Sequence, residues 1–161
     1  MPDFSGRLRA SGRVAILVSR YNELITTRLL DGALACCQEA GVARDQVDVV
    51  WVPGAFELPA TAAAAADSHA YACLVALGAV IRGETPHFDY VAGETARGLS
   101  DVAVQHALPV GFGVLTVDTM QQAVDRAGGN AGNKGYEAAA AALQTADVLA
   151  QVRAHHAQTG D

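Results

Sequence analysis

The chain has 161 residues and a mass of 16.6 kDa, one domain's worth, and a single core of that size takes roughly 70% of the unfolded chain's surface out of water. Hydrophobic residues at 51% and charged residues at 17% exclude a disordered chain, and a formal charge of −6, from 17 acidic against 11 basic residues, argues against a nucleic-acid surface of clustered Lys and Arg. The longest apolar runs, Ala60 to Ala66 and Ala72 to Ile81, are too short to span a bilayer, and no basic-then-apolar segment opens the chain, so a cytoplasmic protein without membrane contact is expected.

Residues 1–161 read as a single domain. Met1 to Gly12 is poor in apolar residues and holds two Ser-Gly pairs, which predicts an extended arm. Val14 to Ser19 (VAILVS) is a continuous apolar run, the mark of a strand buried on both faces. Leu29, Leu30, Ala33, Leu34 and Cys37 follow at helical spacing, and Gly41 supplies a stop. Val47 to Val52 predicts a second strand ended by Pro53-Gly54, and Leu58 to Ala66 a short helix whose Pro59 fits only the first turn.

Ala72 to Ile81 is the third predicted strand, and Pro86 to His106 a helix interrupted by Gly93 and Gly98. Pro109 to Val117 is the fourth strand. Asp118 or Thr119 caps a helix through Ala127, a turn rich in Gly and Asn follows, and Gly135 to Ala154 is the last helix, with Ala139, Leu143, Ala146 and Ala150 as its inward stripe. Strand and helix alternate four times, and the strands are apolar. The expectation is a flavodoxin-like three-layer αβα sandwich around a four-stranded parallel sheet, preceded by the arm. Cys36, Cys37 and Cys73 make no CxxC and cannot all pair, so buried reduced thiols are expected.

Open parallel sheets bind ligands beyond the carboxyl ends of their strands. The residues that follow each predicted strand are Arg20-Tyr21-Asn22, Pro53-Gly54-Ala55-Phe56-Glu57, Arg82-Gly83-Glu84-Thr85-Pro86-His87 and Asp118-Thr119 leading to Arg126. Thr85 and Pro86 mark a helix start behind a flexible Gly83, where free N–H groups make an anion site with His87 beside it. An ordinary capped helix with a surface histidine fits the same residues. Tyr21 suits stacking on a planar heterocycle or covering the sheet edge, and Glu57 suits a polyol or ring N–H groups or plain capping. Arg126 and Lys134, the chain's only lysine, flank the turn Ala127 to Asn133; they suit a phosphate or a helix C-terminus.

Several templates fail. Gly128 to Gly135 (GGNAGNKG) is no phosphate-binding loop of the GxxxxGK[ST] type, because Gly135 stands where Ser or Thr would bind magnesium. No HExxH or spaced His/Cys cluster occurs, and His155-His156 reads as a solvated tail.

Four stretches together resemble the lumazine synthase family: SRYNELIT (Ser19 to Thr26), VPGAFELP (Val52 to Pro59), LGAVIRGETPHFDYVAGE (Leu77 to Glu94) and PVGFGVLTVDTMQQAVDRAGGNAGNKGYEAA (Pro109 to Ala139). The resemblance covers nearly the whole chain in order and spacing. It implies condensation of 5-amino-6-(D-ribitylamino)uracil with 3,4-dihydroxy-2-butanone 4-phosphate to 6,7-dimethyl-8-ribityllumazine, the penultimate step of riboflavin biosynthesis, with no metal or organic cofactor.

Carried over by position, Tyr21 matches the aromatic that stacks on the pyrimidine, where Phe or Trp is more usual. Ala55, Phe56 and Glu57 match the segment holding the uracil and ribityl chain, and Ala79, Val80 and Ile81 the strand end that binds pyrimidine edges through its backbone. Gly83, Glu84 and Thr85 form the loop for the phosphate ketone, His87 matches the proton-transferring histidine, and Arg126 the phosphate-binding arginine. Lys134 matches a lysine near that phosphate, and Phe112 a residue that reaches in from a neighbouring subunit.

The resemblance also implies pentamers with shared sites. The compact turn Ala127 to Asn133 favours their closure into an icosahedral shell over free pentamers, and the arm is expected to be free to pair with a neighbour's sheet edge. Riboflavin synthase is a candidate partner. The rival readings are an archaeal-type riboflavin synthase on the same fold, a flavin carrier without catalysis and a purely structural shell protein.

Overall fold

Six consecutive residues buried on both faces form β1 (Val14–Ser19), the strand around which the rest is arranged in this computed structural model, which describes residues 1–160. In chain order follow α1 (Glu23–Glu39), β2 (Val47–Val52), α2 (Leu58–Asp67), β3 (Cys73–Ile81), α3 (His87–His106), β4 (Val110–Val117), α4 (Met120–Arg126), β5 (Ala127–Gly129), β6 (Gly132–Asn133) and α5 (Lys134–Thr159). Single 3-10 turns at Arg44–Gln46 and Ala55–Glu57 lead into β2 and α2.

The four long strands are parallel in the order β2-β1-β3-β4. Side chains alternate across the sheet. Val14, Ile16, Val18, Val75 and Leu77 pack under α1 and α5 with Leu29, Ala33, Ala139 and Leu143. Ala15, Leu17, Leu74 and Ala76 pack on the other face against Leu58, Ala62 and Leu99 of α2 and α3. The predicted three-layer sandwich is therefore the observed one, and β2, an edge strand, is half-buried through its middle. At the amino ends of the strands Arg13 donates to both carboxylate oxygens of Asp48 at 3.0 Å, and the Tyr71 hydroxyl donates to the same group at 2.7 Å. The Arg13 guanidinium holds the Asp48 carboxyl below the usual carboxylate range. No helix among the described residues is long and apolar enough to cross a membrane.

Alanine in the interior of α2 and α5 lets the helices lie close to their neighbours, and one glycine is obligatory for it. A Cβ on Gly135 would stand 2.6 Å from the carbonyl carbon and 2.9 Å from the Cα of Leu29 in α1. Cys36, Cys37 and Cys73 are free and buried in the layer between α1 and the sheet, as expected. Burial raises all three thiols, Cys36 to about 11 and Cys73 to about 12.

Four expectations need correction. The turn Ala127 to Asn133 is a short antiparallel hairpin, β5 and β6, with left-handed backbone at Gly128 and Gly132; side chains tie it to α1, Asn133 Nδ2 donating to the Arg28 carbonyl. The last helix runs past Ala154 to Thr159, and Ala150 is exposed where the inward stripe was drawn through it. His155 is not a loose tail, since its ring meets Phe4 edge-on at 5.4 Å.

The arm, finally, is not free. It has no helix or strand before Val14, yet it is docked on its own α5. Arg7 N–H donates to Asp147 at 2.8 Å, Gln151 donates to the Ser5 carbonyl, and Ala10 N–H donates to the Ala40 carbonyl. Asp147 is only 6% exposed. The Arg7 amide, with Gln151 assisting, holds its carboxyl below the usual range. The arm's polarity suggested a loose segment, but these backbone bonds satisfy its polar groups while Leu8 and Ala10 pack on the core.

Candidate active site

In the order β2-β1-β3-β4 the chain reverses its direction of winding between β1 and β3, and the crevice above that switch point is where open α/β sheets hold ligands. Here it is a cleft of about 850 Å³. Its floor is the end of β3, Ala79, Val80 and Ile81, which outruns β1, whose last pair is Val18 with Leu77. Tyr21, one residue past Arg20 after β1, and the turn Ala55-Phe56-Glu57 after β2 form one wall. The first turns of α3 form the other, with Gly83 and Thr85 at the lip. Tyr21 is 73% exposed, and its N–H is anchored on the Pro53 carbonyl at 2.9 Å.

Pro86 is the N-cap of α3 and no side chain caps it closely; the His87 N–H meets the Thr85 hydroxyl only at 3.4 Å. The Asp89 N–H turns back to the Pro86 carbonyl at 3.1 Å, and no close side-chain cap is made to the other first-turn N–H groups at the cleft's lip, with the positive end of a 20-residue helix behind them. That is anion-binding chemistry beside an imidazole. The expected start was one residue earlier, with Thr85 as cap; the proline, which lacks the N–H, takes the cap position instead.

The loop that carries Gly83 to Pro86 is fastened by Arg82. Its Nε donates to Asp118 at 2.9 Å, its Nη1 lies 3.6 Å from Asp89 in the first turn of α3, and its guanidinium stacks 4.3 Å over the Phe88 ring. Below, Ser19 and Thr95 are fully buried, and their hydroxyls have no hydrogen-bond partner. Among the described residues no group of three His, Cys, Asp or Glu side chains lies together in a way that holds a metal ion.

Tyr21, Ala55, Phe56, Glu57, Ala79, Val80, Ile81, Gly83, Thr85 and His87 therefore come together, from the carboxyl ends of three strands and the segments that follow them. Glu84 sits in the lip loop but not in the lining. Phe112, Arg126 and Lys134 lie outside the cleft. Arg126 donates to the Gln122 carbonyl at 3.1 Å at the end of α4, and Lys134 pairs with Glu137 at 3.2 Å in α5. Phe112, 48% exposed, lines a second, apolar groove of about 380 Å³ between β4, the end of α3 and α5. Phe88, Tyr90, Val91 and Glu94 complete the wall and were not expected. For Tyr90, Val91 and Glu94 the signal is helical spacing from His87, since residues three, four and seven further on share its face; Phe88, one residue on, has no such signal.

The fold and the cleft define a flavodoxin-like α/β protein with an open cleft at the switch point of its sheet. Residues 11–150 match the family model of 6,7-dimethyl-8-ribityllumazine synthase. The chain belongs to the lumazine synthase family, enzymes of riboflavin biosynthesis.

Proposed function

We propose that the chain condenses 5-amino-6-(D-ribitylamino)uracil with 3,4-dihydroxy-2-butanone 4-phosphate to 6,7-dimethyl-8-ribityllumazine. The observation that carries this reading is the meeting, in one cleft, of an exposed aromatic ring, a strand end that outruns its neighbour and a helix N-terminus bearing His87. The three suit a planar pyrimidine, its hydrogen-bonding edge and a phosphate with a proton-transfer group beside it.

In this reading Tyr21 stacks on the pyrimidine. The end of β3, Ala79 to Ile81, binds its edge through the backbone groups that Asn22 leaves open, and Ala55, Phe56 and Glu57 hold the ribityl chain and the ring N–H groups. The amine at C5 attacks the ketone carbon, and loss of water gives an imine. His87 moves protons while the phosphate leaves and an enol forms. The enol tautomerises to a ketone, and the ribityl-bearing nitrogen closes the ring with loss of a second water. Gly83, Glu84, Thr85 and the α3 N-terminus hold the phosphate, and Arg126 and Lys134, which lie outside this chain's own cleft, join them from a second copy. Much of the acceleration is proximity, because the cleft holds two reactants that need to meet in one orientation.

Phe112 faces outward on the β4 edge, and in this reading it completes the cleft of a second copy, so the working unit is a pentamer. Further closure of pentamers into an icosahedral shell, encounter with riboflavin synthase and a cytoplasmic location belong to the same proposal. The test is to mix both substrates with the protein and follow lumazine absorbance. Product formed well above the background reaction supports the reading, and a rate equal to background overturns it. Incubation with the lumazine alone separates the related riboflavin synthase reaction, since riboflavin formed there would overturn it as well.

A further inference from the structure

Beyond Leu77 strand β3 has no β1 residue across from it, yet it runs on to Ile81. In a parallel strand successive residues turn their N–H and C=O to alternate neighbours. Arg82 donates its N–H to Val117 on the β4 side, so the backbone groups of Ala79 and Ile81 face the opposite way, over the end of β1. The Ala79 carbonyl does not stay open: Asn22 Nδ2 donates to it at 3.2 Å. A side chain from 57 residues earlier thus continues the sheet ladder for one more rung, and Ile81 is the next residue on that side, in the lining of the cleft.

Asn22 does this from a left-handed backbone, φ 61° and ψ 49°, a conformation that L residues seldom adopt and that asparagine tolerates best among them. Its own carbonyl accepts from Ile25 and Thr26 at 2.9 and 3.1 Å, which starts α1. The residue before it is Tyr21. One half-buried amide therefore joins the end of β1, the start of α1 and the floor of the cleft, and it follows directly on the exposed ring.

We propose that Asn22 is a positioning residue for the pyrimidine half of the site: it occupies the Ala79 carbonyl, leaves Ile81 as the first open backbone edge, and fixes the Tyr21 ring above it. This rests on the reading of the cleft as a pyrimidine site. A heterocycle laid under Tyr21 then meets one register of donors and acceptors instead of two competing ones. The phosphate end, on the α3 side, is not involved.

The test uses the whole protein with Asn22→Gly, which keeps the backbone conformation and removes the amide, and Asn22→Asp, which keeps size and turn preference and sets an acceptor against the Ala79 carbonyl. The probe is 6,7-dimethyl-8-ribityllumazine, titrated by its own fluorescence, together with steady-state constants for both substrates. Both variants are expected to bind the lumazine about tenfold more weakly and to raise the KM for the pyrimidine by a similar factor, about the effect of a lost hydrogen bond to a partly buried group. The KM for the butanone phosphate should stay unchanged. Equal changes in both KM values, or a fall in kcat and melting temperature with lumazine affinity intact, would show a merely structural role and overturn the proposal. If the aspartate variant does not fold, the glycine variant decides alone. An unaltered chain that binds the lumazine yet forms none would sink the condensation reading, and the affinities would still decide Asn22. One that binds no lumazine would overturn both.

Discussion

Replacing Gly135 by alanine sets two effects of opposite sign against each other. Alanine is the better helix former by about 1 kcal/mol in a helix interior, and by less in the first turn, where Gly135 stands. Against this, the new Cβ would lie 2.6 and 2.9 Å from the carbonyl carbon and Cα of Leu29, where carbon atoms rest at about 3.5–4.0 Å. The Leu29 carbonyl oxygen lies closer still; all three obstacles are backbone, so no rotamer change relieves them, and α1 and α5 must part by more than about 1 Å. Overpacking of this kind costs about 1–3 kcal/mol. The steric effect wins, and at this chain length it corresponds to a melting temperature lower by roughly 3–10 °C. The control is Gly93→Ala in α3, where a Cβ meets nothing within 4 Å; there the propensity gain stands alone and the melting point should rise slightly. Thermal and urea unfolding followed by far-ultraviolet circular dichroism measure both. A Gly135→Ala protein as stable as the parent would refute the claim that this glycine sets the α1–α5 distance.

Arg126→Ala should raise the KM for the butanone phosphate far more than that for the pyrimidine, since a neutral side chain cannot replace its fork to phosphate oxygens; equal effects in steady-state kinetics would contradict the assignment. His87→Ala should slow turnover by about 10²–10⁴-fold and leave catalysis above background, and an unchanged rate would remove it from the mechanism. Light scattering and negative-stain microscopy should find closed shells, and a homogeneous pentamer-sized particle across buffers would refute them. Asp147, with its folded pKa depressed by the Arg7 amide, stabilises the docked arm fully above its unfolded pKa of about 4, and that contribution is lost as pH falls through the folded value. The protection factor of the Arg7 amide, its exchange measured relative to an unprotected amide at the same pH, should fall on acidification, whereas protection unchanged to pH 2 would show that the carboxylate does not hold the arm.

What the sequence made legible was periodic. β1 and β2 have the bounds expected from VAILVS and VDVVWV, and β3 and β4 begin one residue later than expected. Strand alternation and loop position alone place Tyr21, Glu57 and His87 at one edge of the sheet. The hairpin β5–β6 was not legible, because AGG and GN carry no apolar alternation and pair through backbone only. The arm shows only a faint mark: Phe4, Leu8 and Ala10 are half-buried at alternate positions, Leu8 and Ala10 on the core and Phe4 against His155, but the polar residues between them and the main-chain bonds to Asp147 and Gln151 mask that short alternation. Asn22 escaped because its role depends on a contact with Ala79 far along the chain and on a positive φ that asparagine only permits.

The three thiols under α1 bear on how the chain behaves once it opens. Folded, Cys36 and Cys73 stay protonated up to about pH 11 and 12, while in the unfolded chain a thiol ionises near pH 8.5. Between those values the unfolded state holds fewer protons, so stability is complete below about pH 8.5 and declines as pH climbs toward the folded values. The same inequality governs recovery. A freshly unfolded molecule in alkaline, aerated solution presents thiolates at Cys36, Cys37 and Cys73, the attacking species in disulfide exchange. Native packing keeps all three free, so a bridge formed in the open chain is a trap on the way back. Refolding yield should therefore depend on reductant, although the folded protein ignores it.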